Sequence, residues 1–402
     1  MNTIVVVPDS FKGTLSSAQV CDIMVRALSR HLDAKVVALP VADGGEGTVD
    51  AFIAAAGGQK VFVPVTGPLG ESVEGFYGLL DDGTAIVEMA AAAGLPLVKK
   101  KLCPDQTTTY GVGELIVAAA RTGAKTIIVG LGGSATTDMG TGAAAAAGVR
   151  FFDEAGHEFV PLSGTLDKIA RVDISGLDPR VRDADIRVMC DVDNPLYGAQ
   201  GAAYVFGPQK GADLGMIELL DRGLQHASTV VERGVGVHIA DLEGAGAAGG
   251  MGAGMVAFFG ATLHRGIDVV LDTVGFDKLL YDADLVITGE GCLDSQSLEG
   301  KVVVGVARRA CTRSVPVIAV VGDIRDGFEP IYDEGVTAVF STNTRAVPFA
   351  EAKLSAAHDL NLTMDNIARI LSLSHPWRAK VSRENSSKRV GGIGERKNKY
   401  DQ

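Results

Sequence analysis

The sequence predicts an α/β protein: a discontinuous, parallel-sheet, Rossmann-like domain with a mixed α/β domain inserted in it, and a functional cleft where the two meet. Three observations predict it. Strand-loop-helix units open the chain, the same rhythm returns after about residue 284, and hairpin signatures interrupt it in between. The expected boundaries are 1–75 plus 283–373 for the first domain, 76–282 for the insert and 374–402 for a basic, solvated tail.

The first strand is the β-branched run Thr3–Val7. A capping box follows, with Ser16 as N-cap and Gln19 three residues later, and Leu15 faces Val20 as a hydrophobic staple. Apolar positions Val20, Ile23, Met24, Ala27, Leu28 and Leu32 then mark one buried helical stripe. Lys35–Leu39 repeats the strand, the loop Asp43-Gly44-Gly45-Glu46-Gly47 follows, and a helix starts near Thr48. Two such units favour a parallel sheet. Val73–Leu80 and Ala85–Met89 flank Asp81-Asp82-Gly83-Thr84, a hairpin turn, and Phe151–Phe159 forms a second hairpin. Helices are expected at 107–120, 141–148 and 213–233, with a strand at Thr126–Gly130. Strands at 285–288, 315–321 and 338–341 complete the first sheet. In open parallel sheets ligands bind beyond the carboxyl ends of strands, so the loops at Asp9, Asp43 and Glu290 are expected at the cleft.

Composition narrows the partners. The 402 residues carry 37 Lys plus Arg against 49 Asp plus Glu, a net −12, which argues against a nucleic-acid partner held through its phosphates. A small-molecule substrate suits this balance better. The 51 glycines exceed the usual share of about 7% without a collagen period, the mark of many tight loops. Five scattered cysteines without a CxxC indicate neither a disulfide frame nor a zinc site, so a reducing, cytoplasmic setting is expected. No export is expected from an N-terminus that goes straight into a strand, and the uncharged run 244–263 holds too many glycines, and lacks the flanking cations, for a membrane span. Oligomeric state stays open, a homo-oligomer included.

Several loops carry candidate chemistry. Gly130-Leu131-Gly132-Gly133-Ser134-Ala135-Thr136-Thr137-Asp138 joins a strand to a helix, and its backbone amides and hydroxyls suit a phosphate. It is not a Walker A loop, and a close-packed structural loop is the alternative. Asp9-Ser10-Phe11-Lys12-Gly13-Thr14 supplies a cation for phosphate or carboxylate, unless Lys12 is a solvated loop residue. Asp43 and Glu46 suit Mg²⁺ or helix capping. Asp191 and Asp193 share one side if their strand persists, one taking a substrate proton and the other binding metal; an Asx-turn before Pro195 is the other reading. Glu290 and Asp294 in Thr288–Gln296, ahead of Gly300-Lys301, serve substrate, Mg²⁺ or a helix cap. Gly244-Ala245-Gly246-Ala247-Ala248-Gly249 matches GxGxxG with Asp268 downstream, which raises a nicotinamide-dependent oxidoreductase. The acidic lead-in Asp241-Leu242-Glu243 is wrong for a buried strand, and a glycine-rich hinge or binding loop is preferred.

Seven segments in order resemble one family: Asp9–Gly13, Ala42–Thr48, Val65–Gly70, Gly130–Asp138, Asp191–Leu196, Phe206–Ala212 and Thr288–Gln296 are similar to the bacterial glycerate kinases of the glyoxylate and glucarate pathways. The match is colinear over roughly residues 3–373. The resemblance implies phosphorylation of D-glycerate by ATP with Mg²⁺, most often at the 2-hydroxyl, in the cleft of a two-domain α/β protein. Within it, Gly132, Gly133, Ser134 and Thr136 would cradle the ATP phosphates. Lys12 and Asp191 would be catalytic, Asp191 as the base. Ser10, Asp43, Glu290 and Asp294 would bind substrate, and Asp138 and Asp193 would hold metal. Met139 departs from a usual Gly, so its backbone must avoid positive φ or accept strain. Cys292 stands where an Arg is expected, removing a cation from an anion site, which keeps a non-catalytic phosphometabolite-binding protein as a third alternative.

Overall fold

A computed structural model describes residues 3–42, 44–99 and 101–373. Asp43 and the tail 374–402 lie outside the described residues. The first sheet is wholly parallel, ordered Val336–Ser341, Val317–Val321, Leu285–Gly289, Thr3–Pro8, Lys35–Ala38. The second runs Thr262–His264, Asp185–Met189, Thr126–Gly130, Ala85–Glu88 in parallel, then adds Ser72–Leu79 and Gln59–Thr66 antiparallel. This is the expected discontinuous α/β architecture.

Strand alternation sorts the core. Ile4 and Val6 face the outer helices Ser17–His31 and Phe349–Ser372. Val5 and Val7 face inward, onto a layer that includes the helices Thr48–Ala56, Gly266–Thr273 and Val302–Cys311. Ile86 and Ile128 of the second sheet reach the same layer from the other side, so the two sheets share it. Val87, Ile127 and Val129 point the opposite way, onto Tyr110–Arg121, Leu214–Val235 and Ala247–Phe259. The result is five alternating layers of helix and sheet.

The capping box forms as read: Ser16 Oγ accepts from Gln19 N–H while Gln19 Oε1 accepts from Ser16 N–H. Both hairpins and the strand Thr126–Gly130 also stand where expected. One boundary moves. Gln59–Thr66 pairs along its whole length with Ser72–Leu79, so the chain changes sheet between Ala56 and Gln59 and not at 75. Pro64 sits on this edge strand, where a missing N–H costs no ladder bond. Among the described residues no helix is long and apolar enough to cross a membrane.

Candidate active site

A cleft of about 1080 Å³ opens where the carboxyl ends of both sheets meet. Its two walls touch through glycine. Gly132 N–H donates to Gly44 O at 3.0 Å, and a Cβ on Gly132 would lie 2.5 Å from Gly45 Cα. Only residues without side chains let the two loops approach so closely.

The first-sheet wall is charged. Asp9, Ser10 and Lys12 line it, with Asp9 6% exposed and accepting from Ser10 N–H at 2.6 Å. Lys301, the N-cap of Val302–Cys311, faces the same space. Behind the two lysines Glu290 ends the strand Leu285–Gly289, buried, with Oε1 accepting from Ser297 Oγ. Burial pushes its carboxyl up to about 7, against the Ser297 hydrogen bond and the fields of Lys301 and Lys12, with Asp294 adding to the rise. Asp294 sits half-buried, 3.9 Å from Arg325. Arg325 also acts on Cys292, whose thiol burial raises and the guanidinium lowers, so a cation stands beside the position where Arg was expected. Asp9 and Lys301 were not assigned from sequence. Lys301 carries the same signal as Lys12, a lysine just ahead of a helix, and Asp9 ends the first strand in a loop expected at the cleft.

The glycine loop divides into two halves. Leu131, Gly132, Gly133 and Ser134 line the cleft, pinned by Leu95 N–H to Gly133 O at 2.9 Å and Ala135 N–H to Ala93 O at 2.8 Å. Thr136 and Asp138 are fully buried instead, which corrects their expected places in the phosphate cradle and the metal site. Asp138 accepts from Thr109 N–H and Oγ1–H and from the N–H groups of Gly140 and Gly142. It therefore occupies the start of the helix Thr141–Ala146, where the sequence reading had placed phosphate. Desolvation raises its carboxyl despite these bonds. Lys210 lies beside it, 2% exposed, with Nζ donating to Thr136 O at 2.5 Å and its pKa lowered by burial to about 7.

Asp191 and Asp193 separate. The strand ends at Met189, so alternation no longer holds beyond it. Asp191 lines the cleft, and its Oδ1 accepts from Gly266 N–H at 2.7 Å, at the start of Gly266–Thr273. Asp193 is exposed and is not among the residues lining the cleft. Among the described residues no three acidic, His or Cys side chains gather as a metal cluster.

The GxGxxG segment is a packing device. No strand leads into it, and Ala248, Gly249 and Gly250 all take positive φ within Ala247–Phe259. A Cβ on Gly249 would lie 2.0 Å from Thr136 O, and Met139 N–H donates to Gly249 O at 3.1 Å. The oxidoreductase reading loses its strand-turn-helix context. Met139 accepts strain at φ 54, and its wholly buried side chain, worth about 1.5–3 kcal/mol by transfer, offsets that strain.

Backbone amides and a hydroxyl on one wall, facing two lysines and carboxylates on the other, suit the exchange of a phosphoryl group between two anions, and hydride transfer has no corresponding need for them. The class is thus a small-molecule phosphotransferase. The chain belongs to the glycerate kinase family, whose model matches residues 4–372. It is 46% identical over 374 residues to a glycerate kinase of Bacillus subtilis (strain 168), covering 92% of this chain and 98% of the relative. It is equally 46% identical over 373 residues to the glycerate 2-kinase of Escherichia coli (strain K12), again at 92% and 98% coverage. A solved structure from Salmonella typhimurium LT2, described as a glycerate kinase 2, superposes with a TM-score of 0.83 at 43% identity, covering 95% of this chain and 99% of that one. The protein is a kinase, and a binding-only role is not favoured.

Proposed function

We propose that the enzyme transfers the γ-phosphoryl group of ATP to the 2-hydroxyl of D-glycerate. The observation that carries this reading is the opposition of Lys12 and Lys301 to the Gly132–Ser134 loop across one cleft. The name of the Escherichia coli relative supports the 2-position. Lys12 and Lys301 take the substrate carboxylate and the charge that grows on the transferring group, with Ser10 beside them; Glu290 and Asp294, expected as substrate contacts, are not among the cleft-lining residues and act on this anion site through their charge. Gly133 and Ser134 hold the donor phosphates, and Gly132, whose N–H is taken by Gly44 O, lets the phosphates approach the loop closely. Asp191 takes the hydroxyl proton, oriented by its hydrogen bond to Gly266.

The donor set suits Mg²⁺, which asks for one or two carboxylates and completes its shell with phosphate oxygens and water. Asp9, buried at the cleft wall, would hold it, and the ion would neutralise charge on the donor phosphates. Glu46 lines the same wall. The two sheets, taken as two domains joined by the shared helical layer, would close over both substrates.

³¹P NMR of the enzyme with ATP, Mg²⁺ and D-glycerate tests the reading. A glycerate-dependent ester at the 2-position is expected; a 3-phosphate ester would overturn the position alone, and no ester would overturn the substrate.

The same site predicts a pH effect. Below about pH 7 Glu290 is neutral and takes nothing from the positive field of Lys12 and Lys301 at the substrate. As pH rises through 7 the carboxyl ionises, Asp294 already being near it, and the site loses one unit of positive charge. KM for glycerate is therefore expected to climb across pH 6–8, and the Glu290→Gln variant is expected to flatten that climb. An unchanged profile in the variant would remove Glu290 from the anion site.

A further inference from the structure

We propose that the uncharged wall of the cleft, made by Leu95, Phe206, Gln209, Ala247 and Ala248, seats the nucleobase of the phosphate donor. The inference rests on ATP being that donor. These residues come from three distant segments, one anchored to the cleft-lining half of the glycine loop and two to its buried continuation at Thr136 and Met139. Leu95 holds Gly133 through its backbone N–H at 2.9 Å. The turn Pro208–Lys210 is fixed by Lys210, whose buried ammonium donates to Thr136 O at 2.5 Å. The Gly-rich turn at 247–250 is locked by Met139 N–H on Gly249 O and by the closeness of Gly249 to Thr136. A donor whose phosphates lie on Gly132–Ser134 therefore has this wall as its immediate neighbour.

The chemistry of the wall differs from that of the one opposite. Asp9, Lys12, Glu46, Asp50 and Lys301 charge the first-sheet side, whereas these five residues carry no charge. A flat, neutral heterocycle gains by leaving water for an apolar surface, and needs only a few placed polar groups to orient it. Phe206 supplies the aromatic face. Gln209 is exposed and offers both a donor and an acceptor to a base edge. Ala248 holds φ 53, a conformation that glycine adopts without cost, so a strained methyl is kept at the cleft surface. The wall also gives a use to the Phe206–Ala212 and Gly244–Gly249 segments, which the transfer chemistry leaves idle.

Two variants and one base-free probe test this. Phe206→Ala and Gln209→Ala are each expected to raise KM for ATP, by about tenfold for the former, while KM for glycerate stays within about twofold. Inhibition by inorganic tripolyphosphate, which carries the phosphates without the base, is expected to be unchanged in both. Unaltered KM for ATP in both variants overturns the subsite. Equal weakening of ATP and tripolyphosphate also overturns it, by showing that the wall acts only through the loop. Because Gln209 is exposed, its variant reads out even if loss of Phe206 impairs folding. Absence of ATP turnover in the unsubstituted enzyme overturns the donor reading and the subsite with it, whereas turnover with unchanged KM in both variants overturns the subsite alone.

Discussion

Asp191→Asn is expected to lower kcat by about 10²–10⁴-fold, the usual contribution of a positioned general base, while ATP binding stays near that of the unsubstituted enzyme. The substitution is nearly isosteric. The Asn carbonyl oxygen can still accept from Gly266 N–H, so the anchor to the helix Gly266–Thr273 survives. What is lost is the negative charge and the oxygen able to take a proton. Steady-state kinetics with glycerate, together with calorimetric titration of ATP, separate the two effects. Retained kcat would remove Asp191 as base and turn attention to Glu290, the carboxyl that burial brings up to about 7.

The second large effect is structural. Asp138→Ala is expected to destabilise the fold by about 3–5 kcal/mol, because the amides of Thr109, Gly140 and Gly142 would lose their acceptor inside a dry core. Urea unfolding at constant Mg²⁺ measures it. A role in metal binding predicts something else: unchanged stability of the Mg²⁺-free protein and an altered Mg²⁺ dependence of turnover. Asp138→Asn, which keeps an acceptor oxygen, is expected to lose less than the alanine variant.

Much of the frame was legible because its signals are local. Ser16 and Gln19 announced a helix start that depends on four consecutive residues, and Thr126–Gly130 read as a strand from its own apolar run. The strand Gln59–Thr66 was harder. It is a mostly half-exposed edge, so its pattern does not say which sheet it joins, and the change of sheet between Ala56 and Gln59 is not written in it. In the site, Lys12, Ser10, Asp191 and Gly132–Ser134 were legible as loop residues at strand ends. The place of Asp138 was not: it is drawn into the core, and the same residue type serves a core or a cleft.

Local pattern carries the alternation of strands and helices, the return to the first sheet after residue 284, and the family, through seven segments in order. Hydrogen bonds and apolar periods act between near neighbours, so these features are written in short stretches. Tertiary structure alone decided which half of the Gly130–Asp138 loop faces the cleft. That choice is made by Gly249 and Lys210, more than 70 residues downstream, which close over Thr136 and bury everything beyond it. It also decided that Lys301 joins Lys12 above Glu290, since these three residues meet only when the first and third strands of the first sheet lie side by side.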